Sequence, residues 1–317
     1  MENQERKLLK VEAEFVKKRL DLFLKEMYPD YSRSYFQKLA ENGDVLVNSV
    51  KQDVGYKLKL ADVVEVKFSE TQGLSKIEAE NIALDIIYED EDLIAINKPA
   101  QMVVHPACGN FSGTLVNAVS WHFKSLPFSK DARDEMSWTR PGLVHRLDKE
   151  TSGIILIAKN DDSLYKLSQQ FETRKIKKTY LAICFANNDV NEGKINIAII
   201  RDEHDRKKMS VANTNVKNAK EAVTYFKVKQ KLDDGLVLIE AKPETGRTHQ
   251  IRVHLAHIGY PILGDSVYGV QLKRLRDEVK RTMLHAYQIE FQHPRTKEKM
   301  VLRAEIPEDF NKILDMK

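Results

Sequence analysis

Five apolar residues in a row, Ile154-Ile155-Leu156-Ile157-Ala158, constrain this chain more than any other feature. The run reads as a buried strand, and no apolar run approaches the roughly 18 residues that a membrane span needs. The segment that leads into it, from Arg140 to Gly153, is turn-prone and places the carboxylate of Asp148 among Arg140, His145, Arg146 and Lys149. An acid at the edge of a core strand among cations suits a nucleophile aimed at an anionic polymer. It suits as well a salt-bridged turn capped by Thr151, Ser152 and Gly153. Spacing alone leaves both readings open.

The 317 residues allow two domains, or one large domain with a small appendage. A hydrophobic content of 42% supports a sizeable core, and 31% charged residues indicate a soluble surface. The net charge is only +4, so local basic faces matter more than the sum. Cys108 and Cys184 stand far apart, which excludes a disulfide framework and a CxxC zinc site and fits packing residues of a reducing cytoplasm. Met1 to Lys10 is charged and has no apolar core of a secretory signal. The expectation is a soluble, cytoplasmic α+β protein that does not enter a membrane.

The patterning divides the chain into a small unit over residues 11–70, a linker over 71–81 and a large unit over 82–317. Residues 1 to 10 are expected to be loosely ordered. Leu20, Phe23, Leu24 and Met27 recur as an amphipathic helix stripe. Ser32 is a candidate cap for a second helix, Arg33 to Glu41, with Phe36, Leu39 and Ala40 on its apolar side and Gly43 to end it. Strands are expected around Val45-Leu46-Val47 and Val63 to Lys67. Taken alone, Arg19, Arg33 and Lys38 are solvated helix charges.

From Ile82 onward the pattern changes to short β-rich runs. Ile86 to Tyr88 and Leu93 to Asn97 suggest a hairpin, and Asp161 or Asp162 can cap a helix carrying Leu164, Leu167 and Phe171. Further strands are expected over Tyr180 to Phe185, Ala222 to Lys229, Leu236 to Ala241, Met283 to Phe291 and Met300 to Ala304. Strands dominate, so a repeating βαβ series is not expected.

A second chemical cluster, Glu244 to His254, combines Arg247 and Arg252 with His249, His254, Thr245, Thr248 and Gln250. His249, His254 and His257 do not follow the HExxH spacing, so they read as hydrogen-bonding groups and no metal is expected. Asp148 and Arg252 would be matched partners, because a guanidinium can hold a carboxylate ionised and oriented. Basic runs at Arg174 to Lys178, at Arg201, Arg206, Lys207 and Lys208, and at Lys273, Arg274 and Arg276 make nucleic acid a reasonable partner. No glycine-rich phosphate loop is present, which argues against ATP or NAD chemistry.

The segment His145-Arg146-Leu147-Asp148-Lys149-Glu150-Thr151-Ser152-Gly153 resembles the catalytic motif of the RluA/RluD-type pseudouridine synthases. The resemblance continues through Asn97 to Pro106, Lys178 to Ala182, Arg206 to Met209, Gly246 to His254 and Pro261 to Asp265, and covers nearly everything from residue 82 onward. Arg19-Leu20-Asp21 and Ser32-Arg33-Ser34, leading to Val45-Leu46-Val47-Asn48, resemble the small alpha-L RNA-binding domain of a small-subunit ribosomal protein. Gln101 and Ser49 stand where the family often has Gly, and Glu150 where it often has Asp.

The resemblance implies a mixed, mainly antiparallel β-sheet catalytic domain preceded by a small α/β RNA-binding domain. It implies cofactor-free isomerisation of uridine to pseudouridine in structured RNA. Asp148 would be the nucleophile, or take a ribose proton; Tyr180 would stack on the base, and Arg252 would pair with Asp148. Arg146 would replace the flipped base, while Arg19, Arg33, Lys38, Lys207 and Lys208 would bind RNA. The appended domain favours large-subunit ribosomal RNA over tRNA, with ribosome-assembly intermediates as further partners and the monomer as the working form. A non-catalytic RNA-binding factor and an aspartate hydrolase are the competing readings.

Overall fold

The computed structural model describes residues 6–28, 33–68, 78–106, 110, 112–123, 142–187, 189–205, 208–213, 215–275 and 277–315, without the side chains of Ser34 and Lys38. Ser32, Cys108, Arg140, Arg206, Lys207 and Arg276 lie outside the described residues. The chain forms two compact units, with residues 6–68 in the first and the described residues from Glu78 onward in the second.

In the first unit, period-two alternation places Val45, Val47, Val64 and Val66 on one buried face. They belong to β2 (Val45–Val47) and β4 (Val63–Lys67) of a four-stranded antiparallel sheet, ordered β1-β4-β2-β3, with β1 at Arg6–Lys10 and β3 at Val50–Lys51. The expectation of a loose N-terminus is therefore corrected for residues 6–10, where β1 pairs with β4 from Arg6↔Lys67 to Lys10↔Val63. Helices α1 (Leu20–Met27) and α2 (Arg33–Asn42) close the core with Leu20, Phe23, Leu24, Phe36, Leu39 and Ala40. Met27, the last residue of α1, stays exposed. Gly43 follows α2 with φ +85°, the left-handed conformation that ends a helix at little cost in glycine.

The β2–β3 hairpin turns on Asn48 and Ser49, both left-handed (φ 52° and 64°). A two-residue turn of this handedness suits Asn-Gly, so Ser49 occupies a glycine position at a steric cost. Gln101 does the same in the second unit, at φ 66°.

The second unit contains β5 (Ile86–Glu89), β6 (Leu93–Lys98), α3 (Leu115–His122), β7 (Ser152–Ala158), α4 (Asp161–Glu172), β8 (Lys177–Phe185), β9 (Glu192–Asn196), β10 (Ala198–Arg201) and β11 (Met209–Ala212). It continues with β12 (Val223–Lys231), β13 (Leu236–Pro243), α5 (Gln250–His257), β14 (Leu284–Gln292), β15 (Lys299–Arg303) and α6 (Glu308–Leu314). One nine-stranded sheet runs β5-β6-β7-β14-β8-β13-β12-β9, with β15 on β14 and a separate β10–β11 hairpin. All its pairings are antiparallel except β7–β14, which agrees with the expected mixed, mainly antiparallel class.

Every residue of β7 is buried, as the apolar run requires of a strand covered on both faces. Gly153 lets β7 approach β14, because a Cβ there would lie 2.3 Å from the Ala286 carbonyl oxygen at a φ of +109°. Leu115 and Val119 of α3 and Leu164 and Leu167 of α4 pack with β6 and β7. Ile251 and Leu255 of α5 and Phe310 and Ile313 of α6 pack with β8, β13 and β14.

Helix α4 is capped by Asn160, whose side chain accepts the Ser163 amide; Asp161 and Asp162 instead form its first turn. The expected cap is thus displaced by one residue, since the amide oxygen of Asn160 already satisfies that donor. Cys184 is buried in β8, as a packing residue. Among the described residues, no helix is long and apolar enough to cross a membrane.

Candidate active site

The loop before β7 alternates its side chains. Leu147 is buried, while Arg146 is exposed and Asp148 is half-buried, so the two charged groups reach one cavity. His145 anchors the loop: its Nε2 accepts the Leu156 amide at 2.8 Å and its ring stacks on Phe171, with centroids 4.7 Å apart. Burial, with Lys178 adding, pushes the His145 pKa down to about 3, so this imidazole is a neutral structural pin.

The backbone beside Asp148 is gripped by two buried cations. Lys98 donates to the Pro99, Met102 and Lys149 carbonyls at 2.6, 2.9 and 3.3 Å, and Arg281 donates to the Glu150 carbonyl at 3.4 Å. Burial and the charge of Arg281 lower the Lys98 amine to about 7, with Asp148 opposing the shift. The Thr151 amide closes the turn on the Asp148 carbonyl at 3.2 Å. Glu150 accepts the Thr282 amide at 3.0 Å, a structural role for the carboxylate.

Arg252 comes from α5, far along the chain, and its NH1 donates to Asp148 Oδ2 at 3.1 Å. Its Nε and NH2 form a two-point pair with Asp265, at 2.6 and 2.9 Å. Asp265 also accepts the Val267 and Tyr268 amides. The Tyr268 ring covers the guanidinium, with Cζ 5.2 Å from the centroid. Burial disfavours charge on Arg252, yet the Asp265 pair and then Asp148 outweigh it and raise its pKa. The arginine is therefore fixed on one side and offers its remaining edge to Asp148.

The cavity, of about 120 Å³, is lined by Arg146, Asp148, Lys178, Tyr180, His249 and Arg252 among others. Burial, with Asp148 adding, pushes the Tyr180 phenol above its ordinary value, which keeps it protonated and neutral. Burial lowers Lys178 to about 8. The walls thus combine one carboxylate, several cations and an aromatic face, a set suited to an anionic chain bearing a flat ring.

The structure brings Asp148, Tyr180, Arg252 and Arg146 together in this cavity. Lys208 stands next to Met209, whose amide donates to the Tyr268 hydroxyl at 2.6 Å. Lys207 and the Lys38 side chain lie outside the described residues. Arg19 and Arg33 belong to the first unit and are not simply solvated helix charges, because both donate to the fully buried Asp21. Burial works against charge on Asp21, but Arg19, Arg33 and Gln37 hold its carboxyl down at about 2.

Sequence reasoning gave no role to Asp265, Tyr268 or Asp21. Asp265 and Asp21 stood inside recognisable segments; Tyr268 had no signal. Asp90, Asp92 and His293 also converge, but Tyr88, Arg295 and Ser163 already engage their carboxylates, as in a structural ion-pair network.

A family model described as RNA pseudouridylate synthase matches residues 92–257, and an S4 domain model matches residues 18–64. An uncharacterized RNA pseudouridine synthase of Aquifex aeolicus is 41% identical over 96% of this chain and 94% of its own length. A ribosomal large subunit pseudouridine synthase D of Neisseria meningitidis is 38% identical, over 99% of this chain and 83% of its own. The solved structure of human RNA pseudouridylate synthase domain containing 1 superposes with a TM-score of 0.56, at 26% identity, over 72% of this chain and 86% of that one. The chain therefore belongs to the RNA pseudouridine synthase family: it is an RNA-modifying isomerase with an S4-type RNA-binding domain at its N-terminal end.

Proposed function

We propose that the enzyme isomerises uridines of large-subunit ribosomal RNA, acting as a monomer on assembly intermediates in the cytoplasm, with Asp148 as the nucleophile. The observation that carries this reading is the Asp148 carboxylate at the cavity, 3.1 Å from a buried Arg252 and beside Tyr180. The relative that is named for the ribosomal large subunit matches almost the full chain and supports the substrate.

In this scheme the target nucleotide flips out of its stack, at a cost of a few kcal/mol that pocket contacts offset. Asp148 attacks it, or removes a ribose proton, so that the N1–C1′ bond breaks with its electron pair on the uracil. The ring turns and C5 bonds to C1′ as the Asp148–C1′ bond breaks or, on the other route, as Asp148 returns the ribose proton; C5 then loses its proton and N1 gains one, so the reaction needs no cofactor. Tyr180, as a neutral phenol, stacks on the base. Arg252 holds Asp148 in line, and Arg146 fills the place of the flipped base. Arg19, Arg33, Lys38, Lys207 and Lys208 bind backbone phosphates, with recognition resting on RNA shape.

The test is Asp148→Asn, assayed on ribosomal RNA from cells that lack the protein. Pseudouridine formation is expected to vanish while the unfolding midpoint holds; full activity would overturn the nucleophile. Pseudouridine maps of total RNA with and without the protein decide the substrate: sites lost only from tRNA would overturn the ribosomal assignment.

A further inference from the structure

His249 is the one imidazole in the Asp148 cavity among the described residues, and the reaction scheme does not use it. It sits at the N-terminal boundary of α5 in a left-handed conformation, φ 56° and ψ 17°, which histidine adopts more readily than most residues other than glycine. Its Nε2 lies 4.0 Å from Asp148 Oδ2. Its Nδ1 lies 2.9 Å from the Tyr268 hydroxyl.

The tautomer follows from counting protons. The Tyr268 oxygen accepts the Met209 amide at 2.6 Å, and among the described residues the acceptor for its own single proton is His249 Nδ1. Nδ1 therefore accepts, and the ring proton resides on Nε2, facing the cavity. Burial lowers the His249 pKa, Arg252 and Arg146 adding to the shift while Asp148 and Asp265 oppose it, so the ring is a neutral N–H donor.

We propose that His249 is a catalytic residue whose Nε2–H donates a hydrogen bond to the uracil as it departs from C1′. The inference rests on Asp148 acting at the sugar. With C1′ at the Asp148 carboxylate, N1 of the uracil lies one bond beyond C1′ and O2 three, which keeps both in the part of the cavity that Nε2 faces. When the N1–C1′ bond breaks, its electron pair and negative charge pass to these atoms. The N–H stabilises that charge without giving up its proton. Tyr268 is the positioning residue: it fixes the tautomer, and the Met209 amide ties it to the β10–β11 hairpin next to Lys208.

The experiment uses the full-length enzyme with unmodified large-subunit ribosomal RNA transcripts made with uridine or with 5-fluorouridine, whose base is the better leaving anion. Under single-turnover conditions at saturating RNA, His249→Ala is expected to slow glycosidic cleavage about 100-fold, as loss of one preorganised donor to a developing anion does. RNA affinity is expected to hold. The loss should shrink on the fluorinated RNA, and His249→Gln, which restores an N–H, should recover much of the rate with an unchanged unfolding midpoint. Tyr268→Phe should lose rate in the same direction by less. An equal loss on both RNAs, a loss confined to KM, or no recovery in His249→Gln would overturn the proposal. Asp148→Asn run in parallel separates the two ideas: activity in that variant overturns the nucleophile itself, whereas an Asp148-dependent enzyme indifferent to His249→Ala overturns only this role.

Discussion

In the first unit the Asp21 side chain is fully buried, while those of Arg19 and Arg33 are 43% and 31% exposed. In the second unit the Arg252 side chain is only 8% exposed, and that of its partner Asp148 is 21% exposed. The same two residue types are thus used in opposite senses. A buried carboxylate that holds two arginines presents cations, which suits phosphate. A buried arginine that is itself held by Asp265 presents a carboxylate, which suits attack on a nucleotide. On the proposed function, the buried partner sets geometry and the exposed partner meets the ligand.

That contrast fails if the buried partners are interchangeable with neutral groups, and Arg252→Ala is the most severe trial. It leaves Asp265 buried without its cation and Asp148 unheld. A loss of about 3–5 kcal/mol is expected from the unpaired buried charge, together with loss of activity. Denaturant unfolding and a single-turnover assay read the two effects, and a variant of normal stability and rate constant would contradict the arrangement.

Asp21→Asn makes the matching change in the other unit. It should cost about 2 kcal/mol, because hydrogen bonds to a charged group are lost, and should weaken RNA binding more than it slows chemistry. The folded-state pKa of Asp21, about 2, lies below its ordinary value of 3.8. Its stabilisation is therefore complete above the ordinary range and is lost as pH falls through about 2. Unfolding curves of wild type and variant should stay separated near neutral pH and converge in strong acid. Curves that separate further in acid would reverse the sign and the explanation.

Smaller effects belong to the exposed partners. Arg19→Ala and Arg33→Ala should each weaken binding of RNA and reduce the slope of log affinity against log salt by about 1, with the rate at saturating RNA preserved. A salt titration measures this, and an unchanged slope would remove these arginines from the interface. Smallest of all, Ser49→Gly should stabilise the first unit by about 1 kcal/mol, since glycine accepts the left-handed turn that serine resists. Gln101→Gly should do the same in the second unit, as seen in the unfolding midpoint.

Much of the fold was legible because its strands follow simple periodicities. The apolar run at β7, the alternation at β4 and the segments that became β8, β12, β13, β14 and β15 all carried the pattern of their final surroundings. Helix α5 did not. It buries Gln250, Arg252 and His254 along with Ile251, Val253 and Leu255, so apolar residues do not segregate to one face. Its polar groups are satisfied by partners remote in sequence: Gln250 binds Val223 and Thr224, His254 binds Thr224, and Arg252 binds Asp265. The cap on α4 shifted to Asn160 because three adjacent polar residues could each serve, and only geometry chooses between them. The hairpin β10–β11 was missed because neither strand alternates in burial: Ala198 and Ile199 are buried side by side in β10, and all of β11 is only partly covered.

By itself, the sequence determined the family and singled out Asp148, Tyr180 and Arg252, because they stand in several ordered segments that resemble that family's motifs. It also determined the strand-rich class, because burial on one or both faces of a sheet leaves a period in the chain. Only the tertiary structure decided which charge in each cluster is buried, that Asp265 and Tyr268 stand behind Arg252, and that His249 lines the cavity beside Asp148. Those facts depend largely on contacts between residues from 12 to 104 positions apart, which no local pattern records. The apolar run Ile154 to Ala158 lies where the two kinds of information meet. Its composition made it a buried strand, and its place in the sheet is what carries the Asp148 loop to the cavity.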